Sequence, residues 1–83
     1  MSENYSVCQF FEDGNYEFVR RFISPEEAVN VAIHYSTSIA AKNHMVTRVI
    51  ITDSGDQCNW EWKFDEGITF PPQFVGKLKR GIR

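Results

Sequence analysis

A single helix start, Ser24-Pro25-Glu26-Glu27, stands between two pairs of β-type segments, and it restricts the fold more than any other feature. A serine hydroxyl caps orphan amides, proline fits the first helical position without losing a bond, and glutamate three residues after the serine completes a capping box. Beyond it, Val29, Ala32, Ile33, Ser36, Ile39 and Ala40 recur at three-and-four spacing, while Glu27, Asn30, His34 and Ser38 line the other side. The spacing predicts one amphipathic helix from Pro25 to near Asn43, a residue type that tolerates the left-handed geometry of a helix end.

Before the helix, Tyr5 to Phe11 and Tyr16 to Ile23 are rich in aromatic and β-branched residues and flank Glu12-Asp13-Gly14-Asn15, a hairpin signal in which Gly14 supplies a positive φ. A two-residue loop sets Phe11 opposite Tyr16, Gln9 opposite Phe18 and Val7 opposite Arg20. Tyr5, Val7, Phe11, Tyr16, Phe18 and Phe22 then share one face, and Cys8, Phe10, Val19 and Ile23 the other. A loop one residue longer, with a bulge at Gly14, slips that register. After the helix, Val46 to Asp53 is β-branched on both faces, as a central strand is, and Asp53-Ser54-Gly55-Asp56 turns the chain. Cys58 to Phe64 alternates, with Cys58, Trp60, Trp62 and Phe64 on one face and Asn59, Glu61 and Lys63 on the other. From Ile68 to Val75 the pattern fails, and Pro71-Pro72 suggests an extended, polyproline-like segment.

The expected architecture is therefore an α+β, two-layer ββαββ domain: a four-stranded, mostly antiparallel sheet with one helix packed on one face, then an extended Pro-containing C-terminal segment. Residues 1–67 form the single domain, and 68–83 form that segment and a basic tail. With 83 residues there is room for one core only. A 42% hydrophobic and 24% charged composition is that of a folded, soluble chain, and 14% aromatic residues bring much burial per residue.

Net charge is -2, which is not the balance of a protein held mainly by phosphates. Its distribution is uneven: Glu3, Glu12, Asp13, Glu17, Glu26 and Glu27 face only Arg20 and Arg21 in the first half, whereas Lys77, Lys79, Arg80 and Arg83 close the chain without an acid. Cys8 and Cys58 are far apart and lack C-x-x-C spacing, so neither a disulfide scaffold nor a zinc ribbon is legible, and the reducing cytoplasm is the expected location. No signal sequence or membrane span is read.

The candidates for chemistry all have plainer readings. Cys8, Cys58, His34 and His44 match no metal-ligand spacing, and no electropositive pocket is apparent for a Cys-His nucleophile. Asp53, Asp56, Asp65 and Glu66 are read as turn residues bonding their own backbone. Phosphate-cradling, dinucleotide, nucleophile-elbow and zinc-protease motifs are absent from the sequence. No enzyme activity, cofactor or metal is expected.

A surplus of apolar surface remains. One helix covers one sheet face, yet strands one to three carry large apolar residues on both. Self-association through the second face is the favoured reading, with Phe10, Phe11, Phe18, Val19 and Phe22 as candidate interface residues, the hairpin register deciding which set serves. The C-terminal segment or another protein are the other possible covers. The alternative function is nucleic-acid binding, with strand aromatics stacking on bases and Arg20, Arg21, Arg48, Lys77, Lys79, Arg80 and Arg83 following the phosphates. Trp60, Trp62 and Phe64 have the spacing of such a platform but read better as core beneath the helix.

Tyr5-x-Val7, Asp13-Gly14-x-Tyr16 and Ser24-x-x-Glu27-Ala28 together resemble the strand-hairpin-helix opening of HicB-type antitoxin domains, over the first half only. The proline-glycine segment of that family between strand and helix is absent, and no helix-turn-helix pattern follows residue 67. No function or residue is carried over from it.

Overall fold

Alternating β-branched and aromatic runs pair into one antiparallel sheet, and the capped helix lies across one side of it. The structure, a computed structural model, describes residues 4–71. Strands β1 (Tyr5–Phe11) and β2 (Tyr16–Ile23) precede helix α1 (Pro25–Ser36) and the short α2 (Ile39–Lys42). Strands β3 (Val46–Thr52), β4 (Cys58–Lys63) and β5 (Gly67–Phe70) follow, and the order across the sheet is β2-β1-β3-β4-β5. The fold is thus α+β with a five-stranded sheet and one main helix. Two expectations are corrected. The sheet has a fifth strand where an extended segment was expected from Ile68: Gly67, at φ +79, turns the chain so that residues 67–70 pair with Glu61, Trp62 and Lys63. The rest of the expected Pro-containing segment lies outside the described residues.

The second correction concerns the helix, which breaks at Ser36-Thr37-Ser38. Thr37 and Ser38 hydroxyls donate to the carbonyls of Ile33 and Tyr35, at 2.7 and 2.9 Å, competing with helix propagation. Ser38 then caps α2 by accepting the Ala41 amide. Asn43 has φ -93, and the left-handed position falls one residue later, at His44 with φ 67. The helix is also turned relative to the expected face. Ala28, Ala32 and Ser36 are buried and Val31 and Tyr35 pack beside them, whereas Val29, Ile33 and Ile39 are exposed. Small residues face the sheet because Val7, Val46, Val49 and Ile51 already fill the space between the layers.

At the N-terminus the expected cap forms: the Ser24 hydroxyl accepts the Glu27 amide at 3.1 Å, and Pro25 opens the first turn. Ser24→Ala is expected to cost about 1 kcal/mol in urea or thermal unfolding. An unchanged midpoint would mean that the cap contributes nothing to this helix.

The β1–β2 hairpin takes the longer loop. Phe11 and Asn15 close it by a 2.8 Å backbone bond, with Glu12, Asp13 and Gly14 as loop residues and Gly14 at φ +93. Phe10 therefore pairs with Tyr16, Gln9 with Glu17 and Cys8 with Phe18, one position away from the two-residue-loop register. Register shifts further along β2 restore Val7 opposite Arg20 and set Ile23 opposite Tyr5, so Val19 and Ile23 join the core. The shared face of Tyr5, Val7, Phe11, Tyr16, Phe18 and Phe22 expected from the shorter loop does not form. Tyr16 and Phe18 lie with Phe10 and Cys8 instead.

Candidate functional site: the open face of the sheet

Two cross-strand rows make up the face without a helix. One runs Phe18, Cys8, Ile50, Glu61, and the other Tyr16, Phe10, Arg48, Lys63. The rings gather on β1 and β2: Phe10 and Tyr16 have centroids 5.6 Å apart, and Tyr16 meets Phe18 edge-on at 6.2 Å. Tyr16 is 62% exposed and Phe18 37%, although Cys8 and Ile50 beneath them are buried. Burial pushes the Cys8 thiol above its ordinary value, which makes it a poor nucleophile.

Cations stand over these rings. The Arg21 guanidinium lies 4.3 Å from the Phe18 centroid and 5.7 Å from that of Phe22, and Arg48 lies 4.9 Å from Phe10. Both distances to the nearest ring fall within the range of a cation–π contact. Arg48 also pairs with Glu61, whose second oxygen accepts the Thr69 hydroxyl at 2.7 Å. Partial burial works to raise the Glu61 carboxyl, but the Thr69 and Arg48 bonds outweigh it and hold the group below the usual glutamate range.

The expected interface residues are thus divided. Phe10 and Phe18 share the open face, Phe11 and Val19 pack against the core beside the helix, and Phe22, at φ 59 and 68% exposed, projects from an irregular part of edge strand β2. Among the expected nucleic-acid contacts, Arg21 and Arg48 are on the open face. Arg20 instead pairs with Glu27 on the helix side at 2.5 Å, and Lys77, Lys79, Arg80 and Arg83 lie outside the described residues. Trp60 and Trp62 pack against the core, but Phe64 leaves their face and stacks on His44. Sequence reasoning missed Tyr16 as a companion of Phe10, because that pairing depends on the loop length.

Asp53 behaves as a turn residue: its carboxylate accepts the Gln57 and Gly55 amides, and those bonds with the Asn59 side chain lower its pKa. Among the described residues, no group of three or more His, Cys, Asp and Glu side chains is placed to hold a metal ion. Cys8 and Cys58 are both unpaired thiols. No helix among the described residues is long and apolar enough to cross a membrane.

No family model, curated protein or solved structure matches this chain, and the short likeness to HicB-type domains carries no function here.

Proposed function

We propose that this chain is a non-enzymatic self-association module of the cytoplasm, and that two copies meet through the open faces of their sheets. The observation carrying this reading is the division of that face into an aromatic half, Phe10, Tyr16 and Phe18 on β1 and β2, and a half on β3 and β4 that bears Arg48 and Lys63. A two-fold axis along the strands lays the rings of one copy over the cations of the other, so the face is complementary to itself. Sheet-edge pairing is a poorer route, because the irregularities of β2 and the left-handed Phe22 interrupt its outer edge.

Light scattering over a concentration series tests this. The expected mass is twice 9.7 kDa for the native chain, and Tyr16→Asp and Phe18→Asp are each expected to give a folded monomer. A native chain that stays monomeric overturns the reading, as does a dimer that survives both substitutions.

A second reading is supported by a separate observation: in a chain of net charge -2, Arg21, Arg48 and Lys63 lie on the ring-bearing face with Glu61 as the acid among its paired residues. Rings beside cations suit single-stranded nucleic acid, the bases stacking and the phosphates meeting the cations. Anisotropy with labelled single-stranded DNA and RNA is expected to show binding that weakens steeply with salt, and no signal at low salt removes this reading.

A further inference from the structure

At the end of the sheet where α2 leads into β3 and β4 turns into β5, an open cleft of about 530 Å³ lies between His44, Thr47, Arg48, Lys63, Phe64, Asp65 and Glu66. We propose that this cleft binds a nucleotide, with the base against the stacked His44 and Phe64 rings and the phosphate at Lys63 and Arg48. The size is that of a small-ligand site. The proposal goes beyond self-association and concerns a different part of the surface, although Arg48 borders both.

The choice of residue at position 44 carries the argument furthest. His44 follows the C-cap of α2 with φ 67, its amide bonds the Ala41 carbonyl, and the Met45 amide bonds the Ala40 carbonyl. That is a left-handed helix terminus, which glycine or asparagine satisfies at least conformational cost. Histidine adds a ring, and the fold sets that ring against Phe64 with centroids 4.3 Å apart and planes 30° from parallel. Phe64 is fixed in turn by its amide bond to the Thr47 carbonyl at 3.0 Å. His44 is exposed and Phe64 half-buried, so the stack forms part of the wall of the cleft rather than of the core.

The charges around the stack are unequally engaged. Arg48 is committed to Glu61, while Lys63, its neighbour across β3 and β4, forms no ion pair or side-chain hydrogen bond among the described residues. An ammonium so placed accepts a phosphate without first losing a partner, and Arg48 adds attraction at short range. Asp65 and Glu66 repel a phosphate on their side, which fixes the orientation: their carboxylates suit donors, the sugar hydroxyls or a base amino group. An anion alone uses only the lysine half of the cleft, and a nucleoside only the other half.

Calorimetric titration of the full chain with a nucleoside monophosphate is expected to show one saturable site per chain, with inorganic phosphate and the free nucleoside each binding at least about tenfold more weakly. His44→Gly keeps the left-handed turn, leaving circular dichroism unchanged, and is expected to weaken the nucleotide about tenfold, as is Lys63→Gln. Absence of nucleotide binding overturns the proposal. Phosphate binding as tightly as the nucleotide reduces the cleft to an anion site and also overturns it, as does unchanged affinity in His44→Gly. A single-stranded oligonucleotide that binds where the mononucleotide does not assigns the chemistry to the open face instead. The mass of the native chain bears only on self-association, so failure there is distinguishable from failure here.

Discussion

Ala32→Glu is expected to leave the chain unfolded, whereas Ile33→Glu, one residue further along the same helix, is expected to leave it folded. Ala32 has no exposed surface and sits among Val7, Ala28, Val46 and Val49 between the helix and the sheet. A carboxylate there has no partner. Its desolvation costs several kcal/mol even after relaxation, and the longer side chain must also force the two layers apart. Against a total stability of about 5–15 kcal/mol for a domain, that loss is decisive. Ile33 is 45% exposed, so the same glutamate stays in water and costs only the small apolar contact it replaces. Circular dichroism and urea unfolding of the two variants decide the matter. If Ile33→Glu unfolds the chain and Ala32→Glu does not, the helix is turned to the face read from its sequence pattern, and the packing described above is wrong.

Arg48→Met is expected to lower stability at pH 7 by about 1.5–3 kcal/mol, the range for a hydrogen bond to a charged group. Methionine keeps apolar contact with Phe10 but leaves the Glu61 carboxylate with Thr69 alone. The loss depends on pH. In the native chain the Glu61 carboxyl titrates below its ordinary range, so its contribution is present above the unfolded-state pKa and is lost as pH falls through the folded one. Once Glu61 is protonated in both states, little remains for Arg48 to stabilise, and the two proteins should converge. Urea unfolding at pH 7 and in strong acid tests this, and an equal deficit at both would show that Arg48 acts through packing rather than through Glu61.

The local signals in the chain were legible because each acts over a few residues. Ser24-Pro25-Glu26-Glu27 starts the helix as its chemistry requires, Gly14 takes the positive φ of the hairpin, and Val46 to Thr52 forms the central strand its two-sided β-branching implies. The alternation of Trp60 and Trp62 also identifies correctly which side of β4 meets the core. Three features were not legible. Ser36, Thr37 and Ser38 fit a helical pattern until their hydroxyls are seen to take the carbonyls of the preceding turn. Residues 67–70 show too short a pattern to be read as a strand, and pairing with β4 supplies what the pattern lacks. The companions of Phe10 depend on whether the loop after Phe11 has two residues or three, and both fit Glu12-Asp13-Gly14-Asn15.

Sequence alone determined that this chain makes an α+β unit with one principal helix among antiparallel strands, since propensity, capping and turn chemistry depend on neighbours along the chain. Tertiary structure decided which side each residue serves. A one-residue change in hairpin register moves every later side chain to the other face until a bulge restores it, and a small rotation of the helix exchanges Ile33 for Tyr35 against the sheet. For that reason the rings of Phe10, Tyr16 and Phe18, their arginines, and the cleft at His44 and Phe64 emerge only once the strands are paired and the layers packed.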